Sequence, residues 1–171
     1  MKNVIKTTAL LLAFTLVIAC KNDSKKDSNK TISTSEIKTE AGLSFADNSI
    51  GEQFQHYIHI KAALVNSDLD EAKSGAIMLT NVVENSSLKD AATSISTTED
   101  IETARTLFAD VTEKMTAIVS ESISSGEVYQ QYCPMAFNNK GGYWLSTEKE
   151  IRNPYFGDSM LKCGRVTETM K

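Results

Sequence analysis

Apolar residues recur at helical spacing in three stretches of this chain, and that periodicity limits the fold more than any other feature. Ile50, Phe54, Tyr57, Ile58, Lys61 and Leu64 fall at the spacing of one helix face, which predicts an amphipathic helix from about Ser49 to Val65. Asp68 followed by Glu71 resembles a capping box and opens a second helix, with Ala72, Ala76, Leu79 and Val83 on one face. Leu88 to Ile95 reads as a short continuation. Thr98 is then expected to cap a third long helix, striped by Ile101, Ala104, Phe108, Val111, Met115, Ile118 and Val119 and ending near Gly126. Amphipathic helices joined by short polar turns pack as antiparallel neighbours, so the expected fold is mainly α, an up-and-down helical bundle. Val128–Tyr132 and Tyr143–Leu145 alternate weakly and carry aromatic and β-branched residues, which places a short irregular or β-hairpin segment after the bundle.

The first quarter of the chain reads differently. Lys2 and Lys6 precede an apolar stretch from Thr7 to Ala19, which stops at Cys20. That is the layout of a secretory signal, too short for a convincing membrane span. Apolar residues and a small residue just before the cysteine look like a bacterial lipobox, so residues 1–19 are expected to be removed and Cys20 acylated. Lys21 to about Ser44 holds hardly an apolar residue and cannot offset the entropy of ordering, so 20–46 reads as an acylated cysteine and polar tether. Residues 47–171 are left as one domain, large enough to bury a core. The expectation is a membrane-anchored lipoprotein of the cell envelope, periplasm-facing or surface-exposed, held to the membrane by its lipid. A net charge of −4 without a long basic run argues against nucleic acid as a partner.

Chemistry concentrates at the C-terminal end. Cys133 and Met135 stand two apart, Met160 and Cys163 three apart, and both prolines and much of the aromatic content share this segment. Thiolates with thioethers make a soft donor set that suits Cu(I) or Ag(I), whereas zinc prefers thiolate with imidazole or carboxylate. Two other readings of the same residues stand beside that one. In an exported chain Cys133 and Cys163 can pair as a disulfide, closing a loop that would contribute about 3.5 kcal/mol through chain entropy. The methionines can equally be core fillers packed on aromatic rings.

The segment from Cys133 to Gly164 runs Cys-Pro-Met-Ala, then Trp-Leu-Ser, then Glu-Ile-Arg-Asn-Pro-Tyr-Phe-Gly-Asp-Ser-Met-Leu-Lys-Cys-Gly. It resembles the signature of a bacterial exported domain of formerly unknown function, found as stand-alone lipoproteins and appended to periplasmic adaptor subunits of copper and silver efflux pumps. A looser likeness runs from Phe54 to Val119, carried by Tyr57, Ile60, Lys61, Leu64 and Val65 and by the Arg105–Phe108 region. The resemblance implies that Cys133, Met135, Met160 and Cys163 are heavy-metal ligands. It also implies a copper or silver efflux pump, or its periplasmic adaptor, as partner. The expected function is therefore capture of a soft metal ion, Cu(I) ahead of Ag(I) or zinc, for buffering or delivery to efflux.

His56 and His59 stand three apart on the first helix and are auxiliary metal candidates at most. The chain has no Gly-x-Ser-x-Gly elbow, no His-Glu-x-x-His and no phosphate-cradling glycine loop, so no catalytic residue is expected and the domain reads as a binding protein, not an enzyme. The alternative function is a disulfide-stapled interaction module of the envelope that binds no metal. Tyr143, Trp144, Tyr155 and Phe156 would form its contact surface.

Overall fold

The helices begin on acidic or amide side chains that accept the first free backbone N–H groups. In the computed structural model, which describes residues 42–171, helix α1 (Asn48–Val65) starts on Asp47, whose carboxylate accepts from Ser49 N at 2.8 Å. Helix α2 (Leu69–Val82) starts on Asp68, accepting from Glu71 N at 3.0 Å. Asn85 opens α3 (Ser86–Thr97) through Leu88 N at 3.0 Å, and Asp100 opens α4 (Ile101–Ser122) through Thr103 N at 2.7 Å. Three-residue connections separate these helices. Links so short favour antiparallel neighbours. Helix α1 packs on α2, α2 on α3, α3 on α4, and α4 back on α1, which closes the bundle.

Three expectations need correction. Leu88–Ile95 belongs to an independent helix, because Val83 turns extended and Asn85 supplies a new cap. Thr98 does not cap the long helix; it ends α3 in an extended conformation, and the Asp100 carboxylate takes both the N–H and the hydroxyl of Thr103. Helix α4 stops at Ser122 rather than near Gly126, because Ile123–Ser125 becomes strand β2 and pairs antiparallel with β1 (Ser44–Phe45). That pairing also draws residues of the expected tether into the fold: Leu43 and Phe45 are core residues.

After the Gly126 turn, strand β3 (Val128–Cys133) lies at the centre of a second antiparallel sheet, between β4 (Gly142–Ser146) and β5 (Arg165–Met170). The register sets Gln131 opposite Trp144, Tyr132 opposite Tyr143, and Cys133 opposite Gly142. Strand β5 is bulged against β3 between Gln130 and Gln131. The expected hairpin is therefore present, with a third strand added.

A line of rings joins the two halves. Phe45 meets Phe54 at 5.5 Å between centroids, Phe54 stacks on Tyr57 at 5.9 Å, and Tyr57 stacks on Phe108 at 5.0 Å. Phe108 meets Tyr155, which in turn takes the edges of Phe137 and Trp144. Polar groups seal the same seam. The Tyr57 hydroxyl accepts from Leu145 N at 2.9 Å and lies 3.0 Å from Thr112 Oγ1, so strand β4 is pinned to α1 and α4. No helix among the described residues is long and apolar enough to cross a membrane. The signal-like stretch and Cys20 lie outside the described residues.

Candidate functional site: a thiol pair beside two thioethers

Strand β3 delivers Cys133 to the core, where it is fully buried. The chain must then reverse within eight residues to place Gly142 opposite it. It does so through a tight turn, α5 (Ala136–Asn139), in which Phe137, Asn138 and Asn139 have φ of +52°, +57° and +65°. L-residues rarely adopt this left-handed conformation, and a bulky ring does so only when its surroundings fix it. Here the Phe137 ring packs edge-on against Tyr155 with centroids 4.8 Å apart, and Gly141 N closes the turn on Ala136 O at 2.9 Å. Gly142 is required where the strand resumes. A Cβ there would sit 2.7 Å from the Tyr155 ring and 2.8 Å from that of Phe137.

The second arm, residues 151–164, has little regular structure of its own and is shaped by side-chain hydrogen bonds. Asn153, with no exposed surface, accepts from Tyr155 N through Oδ1 at 2.8 Å and donates through Nδ2 to Cys163 O at 3.0 Å. Its own N–H donates to Leu161 O at 2.9 Å, and its carbonyl accepts from Gly157 N at 3.1 Å. From the bundle, buried Arg105 donates to Pro154 O at 3.2 Å, to Ser67 Oγ at 2.9 Å, to Leu64 O at 3.3 Å and to the Glu102 carboxylate. A 3-10 turn (Gly157–Met160) follows, and Cys163 N donates to Met160 O at 3.0 Å.

The two arms bring Cys133 and Cys163 together as free thiols in hydrogen-bonding contact. Burial pushes the Cys163 thiol above its ordinary value, and the hydrogen bond and charge interaction with Cys133 push it the same way; the Met135 N–H on its sulfur pulls it back. Met135, 46% exposed, and Met160 line one cleft of about 450 Å³, whose walls also carry Glu102, Arg105, Phe137 and Phe156. The sequence-predicted sulfur residues thus gather at one end of the molecule: a thiol pair, and two thioethers sharing a cleft that meets the pair through Met135.

The other sequence candidates fall elsewhere. His59 Nε2 lies 2.5 Å from Glu71 Oε1, bridging α1 and α2, while partial burial lowers the pKa of His56. Neither histidine has a partner among the sulfur residues, and no group of three or more His, Cys, Asp or Glu side chains that could hold a metal occurs among the described residues. The proposed aromatic contact surface is also corrected. Trp144 and Tyr155 are core residues, because β4 turns Trp144 inward to donate to Gln131 Oε1 at 2.7 Å and the ring of Tyr155 is packed between Phe108, Phe137 and Trp144. Only Tyr143 is widely exposed, resting on Tyr132; Phe156 is half-buried. Asn153 and Gln131 organise the segment without having been singled out. An Asn before Pro is a turn signal that could have flagged the first. Gln131 carries no such mark in sequence.

Residues 54–126 match the family described as "Protein of unknown function (DUF3347)". The match begins within α1, runs through α2 to α4 and β2, and ends before β3, so it does not include the sulfur-bearing segment. No curated protein and no solved structure matches the chain.

Proposed function

We propose that this domain captures a soft monovalent metal ion, Cu(I) ahead of Ag(I) or zinc, for buffering or delivery to an efflux system. The observation that carries the reading is the contact between Cys133 and Cys163, thirty residues apart in sequence, beside a cleft walled by Met135 and Met160. The donor chemistry fits such a cargo: two thiols supply tight soft ligands and two thioethers supply weaker, exchangeable ones. Trp144, Tyr155 and Phe137 surround this end of the fold with apolar surface, which limits access of water and oxidant. In this reading the domain works at the envelope as a lipoprotein anchored through Cys20, beside a copper or silver efflux pump or its periplasmic adaptor. The resemblance of the Cys133–Gly164 motif supports that setting.

The thiol contact also suits a disulfide, so the stapled module is the competing reading, although its aromatic surface is reduced to Tyr143 and part of Phe156. One experiment separates the two. The full chain carrying Cys20→Ser, so that Cys133 and Cys163 are the only thiols, is titrated anaerobically with Cu(I) against a competing chelator, with free thiols counted before and after. One-to-one binding that protects both thiols, and is lost in Cys133→Ser/Cys163→Ser with helicity unchanged, is the expected result. Absence of binding by the reduced chain would overturn the proposal. A mass two hydrogens short in protein taken from the envelope would then favour the staple.

A further inference from the structure

We propose that Asn153 is the positioning residue of the sulfur pair, setting the separation of Cys163 from Cys133 by holding the Cys163 carbonyl to the root of its own loop; the metal-binding part of this inference rests on the function proposed above. Cys133 ends the central strand, is paired with Gly142 of β4 and is fully buried, so its sulfur is held by the sheet and the core around it. Cys163 has no such frame. It sits between the end of the 3-10 turn and the first residue of β5, on a loop whose ordering depends on a few side chains.

Asn153 spans that loop from inside. Its Nδ2 holds Cys163 O at 3.0 Å and its N–H holds Leu161 O at 2.9 Å, so one fully buried residue anchors the chain at the thiol and two residues before it. Its Oδ1 and carbonyl hold the outgoing turn at Tyr155 N and Gly157 N. All four of these bonds are used, and only asparagine can supply the side-chain pair: aspartate keeps the acceptor and loses the donor, and serine keeps a shorter acceptor and cannot reach both partners. The ring of Pro154 locks its own φ and restricts the backbone of Asn153 before it, and Arg105 clamps the Pro154 carbonyl at 3.2 Å, so the root of the loop is rigid and the Asn153 amide transmits that rigidity to Cys163. Residues that orient a ligand in this way are expected to change affinity ten- to a hundred-fold on the order observed for supporting partners of metal ligands.

The test uses the full chain with Cys20→Ser and compares Asn153→Asp and Asn153→Ser with Ile95→Val, a stability-lowering core change in α3, the helix that packs on α2 and α4. Two quantities are read: the Cys133–Cys163 dithiol–disulfide equilibrium in a glutathione buffer, and Cu(I) affinity by chelator competition. Both Asn153 variants are expected to keep the helical circular-dichroism signal. Each should weaken disulfide formation about ten-fold or more, a potential shift of about 30 mV per decade, and lower Cu(I) affinity in parallel. Ile95→Val should move neither. Wild-type values in either Asn153 variant would overturn the proposal, as would an equal change in Ile95→Val, which would reduce the effect to general destabilisation. If the unaltered pair binds no Cu(I) but its disulfide equilibrium still depends on Asn153, the metal reading falls and the positioning role stands.

Discussion

Lys61→Met should stabilise the fold near neutral pH, by an amount that shrinks as the pH rises. Lys61 is 8% exposed, and its ammonium meets Ser146 Oγ at a long 3.4 Å. Burial carries its pKa from 10.5 down to about 8, with attraction to Glu148 and Glu150 opposing and repulsion from Arg152 assisting. A lysine whose pKa is depressed on folding costs stability wherever it is charged in both states, hence fully below about pH 8. Between about 8 and 10.5 the unfolded chain binds the proton more tightly, so the penalty fades as pH rises and is gone above 10.5. At 1.36 kcal/mol for each pKa unit, the penalty below pH 8 is about 3 kcal/mol. Ser146 Oγ still accepts from Glu148 N at 3.1 Å when the ammonium is gone, so little is lost in exchange. Urea unfolding of both proteins under reductant at pH 7, 8, 9 and 10 measures the difference directly, and the titrations of Cys163, Tyr57 and Tyr155, present in both, cancel. The Lys61→Met variant should exceed the parent by about 1–3 kcal/mol at pH 7 and converge on it by pH 10. A difference that stays constant with pH, or a destabilised variant at pH 7, would refute this account of Lys61.

Tyr57→Phe removes the acceptor of Leu145 N and the partner of Thr112 in a fully buried setting, and should cost about 1–3 kcal/mol in urea unfolding with helicity retained. A neutral outcome would mean that the β4 backbone finds another acceptor. Asn138, exposed at φ +57°, should tolerate Gly but not Ala: Asn138→Ala is expected to lose about 1 kcal/mol and Asn138→Gly to lose nothing, and the reverse order in thermal unfolding would contradict the left-handed turn.

What was legible in the sequence was whatever depends on local pattern. The stripe of Phe54, Tyr57 and Leu64 and the Asp68–Glu71 cap give α1 and the start of α2 directly, because period and capping act within a few residues. The β3–β4 pair was legible for the same reason. Strand β5 was not, since Arg165–Met170 is mostly exposed and is held by backbone pairing to β3, leaving no alternation of apolar residues to read. Helix α3 was hidden because the break before it is made by an extended Val83 and by Asn85, with no glycine or proline to mark it. At the site, the sulfur residues announced themselves by type. Their supports, Asn153 and Arg105, did not, because their partners are ten and forty-nine residues away and a buried polar residue is recognisable only once its partners are known.

Those distant supports bear on whether the helices could fold alone. The family match stops at residue 126, yet the helices it spans carry Tyr57, Lys61, Arg105 and Thr112, whose partners or ring neighbours include Leu145, Ser146, Pro154 and Tyr155. A fragment of residues 42–126 would return these polar groups to water at little cost. Its apolar losses are larger. Phe108 and the face of α4 that packs on β4 would be uncovered, and the burial of Trp144, Leu145 and Tyr155 would be forgone. At about 1.5–3 kcal/mol for each large side chain, these three residues alone represent about 5–9 kcal/mol, comparable to the whole stability of an ordinary domain. The fragment is therefore expected to keep helical circular dichroism, bind a hydrophobic dye and unfold without a sharp transition. A cooperative transition within about 1 kcal/mol of the full chain would show instead that the bundle is self-sufficient and that the sulfur-bearing sheet is an appended module.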